Sequence, residues 1–176
     1  MSTYFIGDTH FYDKDIILFE NRPFASTSQM NEYIIKQWNS VATNEDKVIV
    51  VGDFINFKEC SEEQALDDVI NRLKGQILLI AGNHDISNIN FYKKLSREKL
   101  EVVEYPIIYN NFWIVSHEPM YVSVNMPYGN IFAHVHNNPM YNTVSKRSYC
   151  VSAERLNYTP ILDTQIFKAV RRENNG

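Results

Sequence analysis

Three apolar runs, at residues 3–7, 47–52 and 76–82, each end on a glycine and set the rhythm of the first half of the chain. Their length and β-branched content predict buried strands, with Val48, Ile49, Val50 and Val51 the clearest case. Between them the apolar period lengthens to that of a helix. Met30, Ile34, Ile35, Trp38 and Val41 share one face of a helix over residues 28–41. Leu66, Val69, Ile70 and Leu73 do the same over residues 62–74, where Ser61 and Gln64 form a capping-box signature and Gly75 stands at the stop. A further helix is predicted over residues 90–99. Strands alternating with helices predict parallel pairing with crossover connections.

Beyond residue 100 the pattern changes. Short apolar runs at 102–105, 107–109, 112–115, 130–133 and 149–152 are separated by Asn, Pro and Gly rather than by helical stretches. They predict a second, more antiparallel sheet packed on the first. Residues 163–171 predict a closing helix with Ile166, Phe167 and Val170 facing inward. No repeat, low-complexity segment or linker interrupts the chain, so residues 1–176 are expected to form a single domain.

Composition narrows the class. At 176 residues the chain can bury one sizeable core, and apolar and charged fractions of 44% and 22% suit a globular protein. No run approaches the ~20 apolar residues that span a bilayer, so no membrane partner is expected. The N-terminus lacks a basic segment followed by an apolar one, which predicts a cytoplasmic protein. Cys60 and Cys150 are expected to be reduced thiols. The formal charge of −4 argues against broad nucleic-acid binding, although two divalent cations on Asp8 and Asp53 would bring the protein near neutrality. The basic clusters at Lys93, Lys94, Arg97 and Lys99, at Lys146 and Arg147, and at Arg171 and Arg172 are expected on solvated surface. Only the middle pair lies near the chemistry in sequence. No apolar stripe specifies an oligomeric state.

That chemistry lies in the histidines. All five sit in polar punctuation after apolar runs: His10, His84, His117, His134 and His136. Asp8, His10, Asp53, Asn83 and His84 fall just past predicted strand ends, where α/β proteins bind ligands. His117 follows the 112–115 run, and His134 and His136 follow the 130–133 run. One such residue is ordinary turn chemistry, but independent turns have no reason to collect every imidazole. A carboxylate such as Asp53 can bridge two cations, while neutral imidazoles and an amide oxygen complete their shells without excess charge. Two metals about 3.5–4 Å apart activate a shared water and stabilise both oxygens of an in-line displacement. His134 and His136, two apart on an extended segment, face the same way. Mn2+ is the expected metal, and the same ligands suit Fe, Zn, Co or Ni.

The blocks Asp8-Thr9-His10, Gly52-Asp53, Gly82-Asn83-His84-Asp85, Ser116-His117 and His134-Val135-His136 resemble, in order and spacing, the calcineurin-like metallophosphoesterase family. Asp8 to Phe11, with Arg22-Pro23-Phe24, Met30-Asn31-Glu32 and Trp38-Asn39, look like its small bacterial and phage subgroup. The resemblance implies a four-layer α/β/β/α sandwich with two mixed central sheets. It assigns Asp8, His10 and His136 to one metal, Asn83, His117 and His134 to the other, and Asp53 to both. By the same likeness His84 acts on the substrate, and Asp85 orients His84.

The chain departs from the pattern twice. Phe54-Ile55-Asn56-Phe57 lacks the arginine that phosphoprotein phosphatases place after the bridging aspartate, which resembles phosphodiesterase-type members. Asp13 stands where the subgroup often has a further histidine, and a carboxylate there is repulsive to phosphate unless neutralised or turned outward.

Phe5, Trp38, Phe54, Phe112 and Phe132 are expected in the core. Tyr12, Phe57, Tyr121 and Tyr128 are candidates for a base-stacking pocket, though a core or rim place suits each as well. Arg22, Arg147 and Arg155 are candidates for holding a phosphate oxygen. Asn83 has an alternative role as the cap of a helix starting near Ser87. The functional expectation is a phosphodiesterase acting on a small phosphoester, such as a nucleotide or cyclic nucleotide, through a metal-bridging hydroxide with His84 assisting. The alternatives are a phosphomonoesterase and a non-catalytic metal-binding scaffold.

Overall fold

Val48 and Val50 point to one side of their strand and Ile49 and Val51 to the other, and all four are buried. A strand apolar on both faces must be covered on both, and two hydrophobic cores do so. The computed structural model describes residues 1–95, 99–141 and 144–174. Its strands are β1 (Thr3–Ile6), β2 (Lys47–Val51), β3 (Gln76–Ile80), β4 (Leu100–Val103), β5 (Ile107–Tyr109), β6 (Trp113–Val115), β7 (Gly129–Phe132), β8 (Ser148–Cys150) and β9 (Ile161–Leu162). Its α-helices are α1 (Lys14–Phe19), α2 (Thr27–Val41), α3 (Glu62–Gln64), α4 (Asn83–Ile86), α5 (Ile89–Leu95) and α6 (Asp163–Asn174).

The first sheet has the order β4-β3-β2-β1-β9, parallel except for β9. Both its faces are buried. Ile6, Val48, Val50, Ile77 and Leu79 pack beneath Met30, Ile34, Ile35 and Trp38 of α2, with Ala65, Val69 and Leu73 alongside. Phe5, Ile49, Val51, Leu78 and Ile80 face the second sheet, meeting Trp113, Val115 and Ile131. The second sheet has the order β5-β6-β7-β8. The sandwich of two mixed sheets implied by the resemblance is therefore present. Inward-facing Ile166 and Val170 of α6 join the inter-sheet core, and the Phe167 ring stacks on Trp113 at 5.4 Å. The outer face of the second sheet carries the 116–128 loop, anchored where the Met120 amide donates to Asn130 Oδ1.

Several elements differ from the sequence reading. β4 is not part of the second sheet but extends the first, parallel to β3. The second sheet is antiparallel only between β5 and β6, and parallel between β6 and β7 and between β7 and β8. Run length and apolarity carry no direction, and here a loop rather than a helix makes the β6–β7 crossover. The helix at 62–74 has its capping box at Ser61 and Gln64, then widens into a π-helical turn over Ala65–Ile70 that ends where the Asn71 amide reaches Leu66 O. Several short elements among the described residues were not expected, including α4 and 3-10 turns at Pro139–Tyr141 and Ala153–Leu156. α1 is too short to show a period, and β9 is only two residues long. Of the helix expected over 90–99, residues 96–98 lie outside the described residues, Arg97 among them, as does the Arg172 side chain.

The sheets join at the site. The Gly7 amide donates to Val151 O, and the Ala153 amide donates to Gly7 O, at 2.8 and 2.9 Å. This stitch brings the exit of β1 against the exit of β8.

Candidate metal centre

Chain segments leave β1, β2, β6 and β7 at the same end of the sandwich and turn sharply. Asp8, His10, Asp53, His134 and His136 all have positive φ, between 47° and 70°. That left-handed backbone costs a residue with a Cβ about 1–2 kcal/mol. Its concentration here marks a site that the surrounding fold holds in place. The β1 and β2 exits run side by side, with the Asp8 amide on Gly52 O at 2.9 Å and the His10 amide on Asp53 O at 3.0 Å. Gly52 (φ 83°) is required twice over. A side chain there would be strained, and its Cβ would collide with the His117 imidazole. A Cβ on Gly82 would strike the Asp53 carboxylate.

Of the groups of side chains that result, two carry the expected ligands, and a third, Glu20, His136 and Glu154, shares His136. Asp8, His10 and His136 offer ligand atoms within 4.8 Å of one another, and so do Asp53, His117 and His134. Asp53 Oδ2 stands between them, 3.6 Å from His10 Nε2 and 3.3 Å from His117 Nε2. Asn83 Oδ1 is 3.0 Å from His117 Nε2, and His134 Nδ1 is 3.1 Å from that same nitrogen. The His84 ring lies edge-on to His10 at 5.1 Å, exposed at the rim. The structure thus brings together all seven residues expected as ligands, with His84 beside them.

The polar atoms around this centre fix which nitrogen of three of the rings faces it. His10 Nδ1 pairs with Asp13 Oδ2 at 3.1 Å, His117 Nδ1 with Val51 O at 2.9 Å, and His136 Nδ1 with Glu154 Oε1 at 3.1 Å. Each outer nitrogen is engaged, which leaves Nε2 for the centre. Burial works to raise the Asp53 carboxyl, but the hydrogen bond and charge of His117, with the charge of His10, hold it down at about 2. Conversely, burial works to lower His117, yet its hydrogen bond to Asp53 and the charges of Asp53 and Asp8 raise it to about 9. Asp8 Oδ2 and His10 Nε2 are buried without a hydrogen-bond partner. A buried polar atom left so costs about 1–3 kcal/mol. A divalent cation held by both removes that cost, so the donor set fits a metal.

Asp85 has a different task from the one expected. It is fully buried, and its carboxylate accepts from the amides of Asp53, Phe54 and Gly82 and from the Tyr92 hydroxyl, at 2.7–3.1 Å. It therefore holds the Asp53 turn rather than the His84 ring. Burial, with the nearby charge of Asp53, raises its carboxyl above the usual range. Asn83 opens α4 instead of capping a later helix. Asp13 is neither repulsive nor turned outward, being spent on His10 and on the Asp15 and Ile16 amides.

None of the three arginines is free for phosphate. Buried Arg22 donates to Asp8 O and Thr9 O and pairs with Glu154. Arg155 donates to His136 O and Asn138 O, and Arg147 to Val124 O and Met126 O. Three of the aromatic candidates have other settings, and Tyr128 is half-buried. Phe57 packs on Phe91 and Tyr92, Tyr12 donates to Asp68, and Tyr121 lies in solvent. Sequence reasoning missed Glu154 and Arg22 as supports for the site. Glu154 lies 18 residues beyond His136, with no spacing that links them.

Comparison with known proteins agrees with this geometry. Residues 1–169 match the model of the calcineurin-like phosphoesterase family. The chain is 32% identical over 174 residues to an uncharacterized protein of Methanocaldococcus jannaschii, covering 96% of this chain and 91% of that one. It is 34% identical over 80 residues to a glycerophosphodiester phosphodiesterase of Enterobacter lignolyticus, covering 46% of this chain and 28% of the relative. A crystal structure of a protein of unknown function from Aquifex aeolicus shares the fold, with a TM-score of 0.71 at 21% identity over 96% of this chain and 98% of that one.

The chain belongs to the calcineurin-like phosphoesterase family. It is a hydrolase acting on phosphoric esters, with side chains grouped so that they could hold metal ions. Among the described residues no helix is long and apolar enough to cross a membrane.

Proposed function

We propose that this chain is a phosphodiesterase of small phosphoesters, working as one domain with two divalent cations, Mn2+ first among them. Asp8, His10 and His136 would hold one cation, Asn83, His117 and His134 the other, and Asp53 both. The observation that carries the reading is the pair of ligand groups converging on Asp53, with Asp8 Oδ2 and His10 Nε2 buried and unpartnered. When bound, the cations supply an activated water and charge neutralisation at the phosphoryl oxygens.

The chain's own residues do the rest. Asp13, Glu154 and the Val51 carbonyl fix three imidazoles, so their inward nitrogens are aligned before substrate arrives. Asp85 holds the turn that carries Asp53. His84, at the rim beside His10, is available to give a proton to the departing oxygen. A diester is favoured over a monoester because Arg22, Arg147 and Arg155 are tied to backbone carbonyls, and Phe54 and Ile55 are buried after Asp53. None of them meets the extra charge of a monoester. The Enterobacter relative, a glycerophosphodiester phosphodiesterase, points the same way.

The test is turnover of bis-p-nitrophenyl phosphate and p-nitrophenyl phosphate by Mn2+-loaded protein. The expected result is EDTA-sensitive hydrolysis with the diester preferred. A reversed preference supports the monoesterase reading, and no turnover with any of Mn, Fe, Zn, Co or Ni leaves a metal-binding scaffold.

A further inference from the structure

A cavity of about 340 Å³ opens between the exit of β3 and the turn after β4. Asn83 and His117 form one wall, and Ile86, Tyr105, Glu104 and Glu118 are among the others. Building on the phosphoesterase reading, we propose that this cavity takes the organic group of the substrate. It selects a flat, uncharged group bearing N–H or O–H donors, the chemistry of a nucleoside, over one carrying a second phosphate.

Position is the first argument. Asn83 Oδ1 and His117 Nε2 lie 3.0 Å apart within the second ligand group, so a molecule seated here has one end at the candidate metals. Size is the second. The volume of about 340 Å³ is at the small end for ligand sites and suits one nucleoside-sized group rather than a polymer.

Surface chemistry is the third argument. Tyr105 and Ile86 line the cavity and are 66% and 46% exposed, which leaves apolar surface on which a planar ring can pack. The fourth is charge. Among the described residues no lysine or arginine lines the cavity, whereas two carboxylates do. Glu104 is already paired with Lys93 at 2.5 Å, and Glu118 is exposed. Carboxylates accept hydrogen bonds from ring and hydroxyl donors but repel a second phosphate.

The test compares Mn2+-loaded wild type with Tyr105→Ala and Glu118→Lys on three esters. These are thymidine 5′-(p-nitrophenyl phosphate), its 3′-phosphorylated derivative, and methyl p-nitrophenyl phosphate. Tyr105→Ala should raise KM for the thymidine ester roughly 5–10-fold, a typical loss for one stacking face, and leave the methyl ester within about twofold. Glu118→Lys should shrink the discrimination against the 3′-phosphate. Equal effects of Tyr105→Ala on thymidine and methyl esters overturn the cavity assignment while leaving the enzyme reading intact. A separate arm needs no turnover: calorimetric binding of thymidine 5′-methylphosphonate to the metal-loaded protein. Tyr105→Ala should weaken it by a similar factor, and unchanged affinity overturns the proposal even if no ester is hydrolysed.

Discussion

Asp13 Oδ2 lies 3.1 Å from His10 Nδ1, while its Oδ1 caps α1 through the amides of Asp15 and Ile16. One carboxylate thus ties the start of a helix to the orientation of a candidate ligand imidazole. Burial works to raise Asp13, but the hydrogen bond and charge of His10 and the two amides hold it at about 2. Asp13→Ala should weaken metal binding roughly 10–100-fold, the usual loss when the partner of a ligating histidine is removed. Asp13→Asn, which keeps the cap, should lose less. Competition with a fluorescent chelator measures both.

Asp85 holds three amides and a hydroxyl at the turn carrying Asp53. Asp85→Ala strands these donors in a buried place, so it should lower stability by about 3 kcal/mol or more. Tyr92→Phe removes the hydroxyl that donates to Asp85 and accepts from the Ile55 amide, and should cost less, about 1–3 kcal/mol. Urea unfolding of metal-free protein gives both values. Equal losses for the two variants would count against a shared carboxylate hub.

Arg22 and Glu154 form an ion pair at 2.6 Å with side chains 0% and 6% exposed. Glu154 also holds His136, and burial's upward push on its carboxyl is outweighed by His136 and Arg22, leaving it at about 2. Arg22→Ala abandons a buried carboxylate and should cost about 3–5 kcal/mol. The Arg22→Met, Glu154→Gln double variant should recover part of that loss. A double-mutant cycle by thermal or urea unfolding checks the coupling.

His117, raised to about 9 against an ordinary value of 6.5, carries a proton at neutral pH in the metal-free protein. A ligand nitrogen must give that proton up, so metal binding releases it. Affinity should climb about tenfold per pH unit between 7 and 9 and flatten above. The sign reverses for metal-free stability. The contribution of protonated His117 is complete below about 6.5 and is lost as pH rises through about 9. That of Asp53, lowered from 3.8 to about 2, is present above 3.8 and is lost as pH falls through 2. Calorimetric Mn2+ titrations in buffers of different ionisation enthalpy count the protons, and melts of metal-free protein from pH 6 to 10 follow the stability.

His84→Ala separates catalysis from metal binding. The His84 ring is exposed and belongs to neither ligand group, which His84 meets only through its backbone amide, donating to Asp53 Oδ1 at 3.0 Å. The variant should keep its metals and lose about 10²–10⁴-fold in kcat, the range for a proton donor. Loss of metal on this substitution would instead place His84 among the ligands.

The sequence by itself determined the parts of this protein that are local. The 3.6-residue period of Met30, Ile34, Ile35 and Trp38 specified α2, and the unbroken run of Val48 to Val51 specified a strand buried on both faces. The ligand candidates were legible because each strand-end turn carries its side chain within a few residues of an apolar run. Strand direction, the sheet to which residues 100–103 belong, and the short α1 and β9 were not legible, since apolar runs encode burial but not pairing. Tertiary structure alone decided what supports each imidazole. Glu154, Arg22, Asp85 and the Val51 carbonyl reach the centre across chain separations that no spacing predicts. Asp13 changed from a repulsive charge to a support because the left-handed turn at His10 brings the two side chains together. Backbone geometry past the strand ends sets those meetings, and only the packed sheets fix it.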